Sequence, residues 1–239
     1  MTLLFNQILY QPLFNFLVYL YNVIPGNDFG VAIIVLTLIV RVIFTPFSIK
    51  MLVSQRRLSE LQPKIKEIQE KFKHDKVAQS QAVMELYKKE GVNPMSGCLP
   101  LIIQLPLLFA LYKALANGLN PENLGSLYSF IHNPGQINNI AFGFLDLAKK
   151  SPFLSIAAGA FQMIQSKISA QQMPLKDGGN QAFNMAMMNK HMLYFFPIMI
   201  IIISWNLPAG LVLYWAVTTF FSIFEQLYIK KKWIPKNNQ

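Results

Sequence analysis

Charge is what this sequence has least of. Only 13% of its 239 residues are Asp, Glu, Lys or Arg, and 53% are apolar, whereas soluble domains carry about 25% charged residues. That deficit excludes an ordinary globular enzyme and points to a polytopic membrane protein. Acid is scarcer than base, with 11 Asp and Glu against 21 Lys and Arg, for a formal net charge of +10. The one cysteine, Cys98, forbids an internal disulfide. Residues 1–40 contain no Lys or Arg, so the basic n-region of a cleavable signal is missing, as is a small-residue cleavage site. There is no GxxxxGK[ST] loop, no HExxH and no nucleophile–base spacing, and His74, His132 and His191 fall in loops or at the start of a span. No catalytic residue, metal site or cofactor is expected.

The basic residues that are present are unevenly placed. Ten lie between Lys50 and Lys89 and four between Lys230 and Lys236. The positive-inside rule therefore puts residues 50–95 and the C-terminus in the cytoplasm and the N-terminus outside. An odd number of spans must follow residue 28. Hydropathy supplies five, at about 29–49, 98–117, 152–169, 191–205 and 208–229.

The first of these carries the most informative residue. In FGVAIIVLTLIVRVIFTPFSIK (residues 29–50), Arg41 stands near the middle, and Phe29 to Ile49 covers roughly 31 Å as a helix. A guanidinium at that depth costs about 2.5–3.5 kcal/mol on insertion scales. Apart from Thr37, one turn earlier, the span has no polar group near it and no acid. Arg41 must face water, another helix or a substrate, or else snorkel to the interface marked by Pro46 and Lys50. An intramembrane arginine is by default a functional-site hypothesis.

Residues 1–25 precede it. Gln7, Gln11, Asn15 and Asn22 fall within about 80° on a helical wheel, opposite Leu, Phe and Tyr. That pattern predicts an amphipathic helix in the outer interface, preferred to a sixth span. Pro25-Gly26-Asn27 then punctuates the turn. After the first span the pattern becomes amphipathic over residues 51–90. Leu58, Leu61, Ile65, Ile68 and Phe72 recur three or four apart, a break follows at Lys73-His74-Asp75, and a second run carries Val77, Val83, Met84, Leu86 and Tyr87. These runs predict a cytoplasmic helical hairpin, with a solvated, topology-setting loop as the alternative. Its mixed Lys and Glu make a poor nucleic-acid patch.

The remaining spans contribute few polar groups. Gln104 lies on the cytoplasmic side of the second span, and Lys113, near its outer end, is expected to snorkel. Residues 118–150 read as an outer loop of modest helix content. Gln162, Gln165, Ser166 and Ser169 form a polar stripe on the third span, which can equally be interhelical glue. Glu225 sits near the cytoplasmic end of the last span, and residues 231–239 form a basic tail. The sequence thus reads as all-α, with residues 26–230 as one membrane core.

TLIVRVIFTP around Arg41, LQPKIKEIQEKF in the hairpin, VNPMSGCLPLIIQLPLLFALY in the second span and LPAGLVLYWAVTT in the last resemble, in order and spacing, the bacterial YidC/Oxa-type membrane protein insertases. The resemblance runs from about residue 10 to 230. It implies five spans enclosing a hydrophilic groove that opens to the cytoplasm and laterally to lipid but is closed outside. Arg41 matches the groove arginine, Thr37 a groove-lining position, and Tyr214 and Trp215 the aromatic pair that meets substrate; Gln104, Gln162 and Gln165 correspond to wall positions. The implied partners are nascent membrane proteins, the ribosome, a Sec-type translocon and the lipid bilayer, not DNA. The implied location is the bacterial inner membrane. The sequence resembles the minimal form of the family, without a large periplasmic domain and without a visible lipoprotein leader.

Two other functional classes are open to the same residues. A small anion transporter or channel would use Arg41 as its anion site, but no acid lies deep in a span and no internal repeat is visible. An intramembrane protease lacks the required spacing of nucleophile and base.

Overall fold

The computed structural model describes residues 2–93, 99–118, 127–171 and 193–233. Within them the chain is mostly helical. A short helix α1 (Thr2–Phe5) passes through a π-helical turn (Asn6–Tyr10) into α2 (Gln11–Val23). Then come α3 (Phe29–Glu60), α4 (Gln62–Lys71), α5 (Lys76–Lys89) and α6 (Leu99–Gly118). After the outer segment follow α7 (Pro152–Gln171), α8 (Leu193–Ser204) and α9 (Ala209–Trp233).

Among the described residues, Phe29–Glu60 and Ala209–Ile229 are the helices long and apolar enough to cross a membrane. Gln104–Leu115 and Leu193–Ser204 are shorter apolar helices. The expected boundary at Lys50 is absent, since α3 continues without a break to Glu60. Nothing local stops it there: residues 51–60 contain neither Gly nor Pro, and Arg56 and Glu60 pair at 2.9 Å across one turn. Pro106 lies inside α6, whereas Pro100 falls in its first turn, where a missing N–H costs nothing.

One apolar cluster joins α2, α3, α6 and α9, with Phe14, Leu17, Phe29, Ile33, Leu111 and Leu115 almost wholly buried. A second joins α7, α8 and α9 through Ala158, Ile200, Val212 and Ala216. The close packing depends on small residues. A methyl group at Gly210 would stand 3.2 Å from Leu115 Cδ2, and one at Gly159 only 2.2 Å from Ile201 Cγ1. The predicted hairpin is α4 and α5, which build their own small core from Leu61, Ile65 and Val92 with Leu58, Val83, Leu86 and Tyr87 around it. Lys64 Nζ lies 2.6 Å from Glu90 and holds that exposed carboxyl below the usual carboxylate range.

Among its described residues, 127–150, the outer segment adds a brief strand pair to the otherwise helical fold. Its regular element is a two-stranded antiparallel ladder, β1 (Ile140–Ala141) and β2 (Leu145–Asp146). Phe142 and Gly143, at φ 55° and 78°, supply the left-handed turn between them. Both features are brief enough to escape a pattern search over longer windows.

This segment is bonded to the outer ends of the helices. Asp28 caps α3 through Oδ1, which accepts from Gly30 N and Val31 N at 2.8 and 3.1 Å, while Oδ2 accepts from Phe142 N at 2.6 Å. A methyl group at Gly30 would come within 2.5 Å of Ala141 Cβ, so only glycine admits the ladder here. Asn15 and Asn22, two members of the polar stripe on α2, bond the outer segment: Asn15 Oδ1 accepts from Tyr128 N, and Asn22 Nδ2 donates to the His132 carbonyl. Ala209 N and Gly210 N donate to the Lys149 and Leu147 carbonyls. Lys113 does not snorkel freely. Its ammonium donates to Asn6 Oδ1 at 2.8 Å and lies 4.6 Å from the Tyr10 ring centroid, pinning the π-helical turn to α6.

Removing the cap should loosen this closure. Asp28→Ala should lower stability in detergent by about 1–2 kcal/mol, read as earlier thermal unfolding. Asp28→Asn should recover most of that loss, because one side-chain oxygen still caps the helix. Equal unfolding of all three proteins would show that Asp28 does not hold the outer end together.

Candidate functional site: a polar seam between α3 and α9

The site is built by two parallel helices in constant register. A methyl group on Gly210 would touch Ile33, Arg41 bonds to Thr218, and Ser48 faces Glu225. Each pair is separated by 177 positions, the spacing of the Arg41–Thr218 bond. Steps of seven or eight residues are close to two helical turns, so these residues recur on one face of each helix. The two helices therefore run side by side in the same direction from the outer closure to the other end.

Arg41 is half-buried on this seam. Its Nη2 donates to the Thr218 carbonyl at 3.2 Å. Among the described residues no carboxylate comes within ion-pair distance of it. One turn nearer the start of α9, Tyr214 is buried and its hydroxyl accepts from Gln104 Nε2 at 2.8 Å. Gln104 brings α6 to the seam as a third wall. Arg41 and the Gln104–Tyr214 pair thus stand on adjacent turns of one seam.

The other expected site residues lie differently. Thr37 is only 1% exposed, and its hydroxyl donates to the Ile33 carbonyl of its own helix at 2.6 Å. It marks the upper end of the seam with its polar group already spent. Trp215 follows Tyr214 by 100° of helical rotation and packs against the Ala158, Ile200 and Val212 cluster of α7 and α8. Gln162 Nε2 and Gln165 Oε1 bond each other at 3.2 Å on α7. The α7 stripe does reach α9, through Ser169 Oγ donating to Gln226 Oε1 at 3.1 Å.

One residue of the seam was not among the expected site residues. Sequence reading leaves Glu225 at the end of the last span, remote from Arg41. The structure instead buries it to 9% exposure in the same seam, facing Arg41 and the hydroxyls of Thr45 and Ser48. The signal was present: Tyr214, Thr218, Ser222 and Glu225 recur at three- and four-residue spacing on α9. Arg41, Thr45 and Ser48 make the matching stripe on α3.

Chemically, the seam offers a guanidinium, a carboxyl and several hydroxyl and amide groups between apolar helices. The Asp28–Phe142 and Gly210–Leu147 bonds tie the 127–150 segment across the end of the seam where α3 and α9 begin. The arrangement suits polar chain passing part of the way into a membrane, and it holds no nucleophile–base pair.

Comparison with known proteins places these residues in context. Residues 19–237 match the family model described as 60Kd inner membrane protein. The membrane protein insertase YidC of Fusobacterium nucleatum subsp. nucleatum is 34% identical over 228 residues, covering 94% of this chain and 98% of that protein. The membrane protein insertase YidC of Geobacter metallireducens is 35% identical over 223 residues, covering 92% of this chain but 36% of that longer protein. Among solved structures, an active YidC insertase with its first transmembrane domain resolved is similar with a TM-score of 0.58 and 25% identity. The match covers 94% of this chain and 46% of that one.

Proposed function

Because the chain belongs to the 60 kDa inner membrane protein family of YidC/Oxa-type insertases, we propose that it inserts newly made membrane proteins through the α3–α9 seam. Its substrates are nascent membrane proteins, its setting is the bacterial inner membrane, and the task is insertion rather than enzymatic chemistry. We assign it five spans, α3, α6, α7, α8 and α9, with the N-terminus outside and the hairpin and C-terminus in the cytoplasm.

The observation that carries this reading is Arg41, held on a helix carbonyl between two span-forming helices and beneath a closed outer end. A polar tail that enters the seam from the cytoplasm meets fixed polar groups instead of hydrocarbon, and this removes part of the penalty of crossing. Its apolar helix then leaves laterally into lipid. Burial of that helix supplies the driving force, since the sequence carries no GxxxxGK[ST] loop. The apolar stretch 191–205 covers only about 23 Å by helical rise, which favours a locally thinned bilayer and a shorter barrier. Ribosome and Sec-type translocon fit the same reading as partners on the two ends of the insertion step.

The test is reconstitution. Purified protein in liposomes should protect the tail of a single-span reporter from external protease, after translation has been stopped and nucleotide removed. No protection above empty liposomes would refute the assignment, and protection that requires added nucleotide would refute the driving force.

A further inference from the structure

We propose that Glu225 is a cation subsite of the groove, binding the Lys or Arg residues that flank a substrate's apolar helix on its retained, cytoplasmic side. The inference rests on the insertase reading above and adds to it a second, opposite charge with its own ligand class.

Three observations place the subsite. The α3–α9 register sets Glu225 seven residues beyond Thr218, on the same face and about 10 Å further along the helix, away from the closed outer end. The residue is only 9% exposed, the hydroxyls of Thr45 and Ser48 face its carboxyl, and among the described residues its Oε1 has no hydrogen-bond partner. A buried carboxylate oxygen without a donor is costly unless a donor arrives during function. Among the described residues no cation stands within ion-pair distance of it, and Arg41 is engaged by the Thr218 carbonyl.

The order of charges then has a meaning. From the outside inward the seam reads cation, hydroxyls, anion. Membrane proteins keep Lys and Arg on the cytoplasmic flank and translocate tails poor in them. A chain inserting in its correct orientation presents its acidic or neutral tail to Arg41 first and brings its basic flank to Glu225 later, once the apolar helix of about 20 residues between them has moved into lipid. The reversed orientation pairs like charges at both positions. Glu225 therefore reads orientation as well as charge.

The experiment compares one single-span reporter carrying either Lys or Gln residues on its cytoplasmic flank, inserted by wild type, Glu225→Gln and Glu225→Asp in proteoliposomes. Glu225→Gln keeps shape and removes the charge. It should lower insertion of the Lys-flanked reporter roughly three- to fivefold, the scale of one partly screened charge pair, and leave the Gln-flanked reporter at wild-type yield. Glu225→Asp should restore the difference between the reporters. Equal loss for both flanks would mean that Glu225 only supports packing, and no change for either would mean that it binds nothing; both overturn the subsite. Failure of wild type on both reporters would instead refute the insertase reading itself.

Discussion

Replacing Arg41 by alanine should lower insertion of a reporter with an acidic translocated tail by about tenfold or more, the equivalent of losing roughly 1.4 kcal/mol of attraction. The same variant should scarcely affect a neutral tail. The expectation follows from the one guanidinium of the seam, which stands between apolar helices where a charge interaction is weakly screened. Arg41→Lys should retain most activity, because the charge stays at similar depth even though the guanidinium's fork of donors is lost. Arg41→Glu should be the worst of the three. It would set a second carboxyl on the seam opposite Glu225, adding repulsion within the protein to repulsion of the tail. The measurement is protease protection of one reporter with acidic, neutral and basic tails in each variant. Equal loss across all tails would show that Arg41 acts by holding α3 against the Thr218 carbonyl, and the electrostatic account would fall.

Loss of the hairpin should be as severe for function and mild for stability. Replacing residues 62–90 with a short Gly/Ser linker should reduce insertion on the order of tenfold, as when a surface carrying 1–2 kcal/mol of partner binding is removed. The membrane core should still fold. Leu61, Ile65 and Val92 form a cluster apart from the two that join the spans, so losing Ile65 and its hairpin neighbours leaves Phe14, Phe29, Ile33 and Leu115 packed as before. The replaced segment begins after Glu60 because α3 runs unbroken to that point. Normal insertion by the shortened protein would reduce the hairpin to a spacer, and a collapsed thermal transition would show that it is part of the core.

The anion-transporter reading loses its main support once the seam is seen in three dimensions. A permanent anion site beside Arg41 would have to tolerate the Glu225 carboxyl facing the same arginine. That carboxyl is far better suited to a substrate that brings its own positive charges.

What the sequence determined by itself is what depends on neighbours along the chain. The apolar lengths of 29–49 and 208–229, the amphipathic periods of α4 and α5, and the depth of Arg41 within its span all follow from residues a few positions apart. Family membership was legible too, since its motifs are local strings in a fixed order. Only the tertiary structure decided how those pieces meet. The offset of 177 that brings Arg41 to Thr218 is set by close packing at Gly210, Leu115 and Ile33, which no local pattern encodes. The same packing set Glu225 in the α3–α9 seam facing Arg41 and directed Trp215 toward α8. Thr37 spends its hydroxyl within its own helix because a buried hydroxyl takes the nearest acceptor, and the Ile33 carbonyl one turn back was already in place.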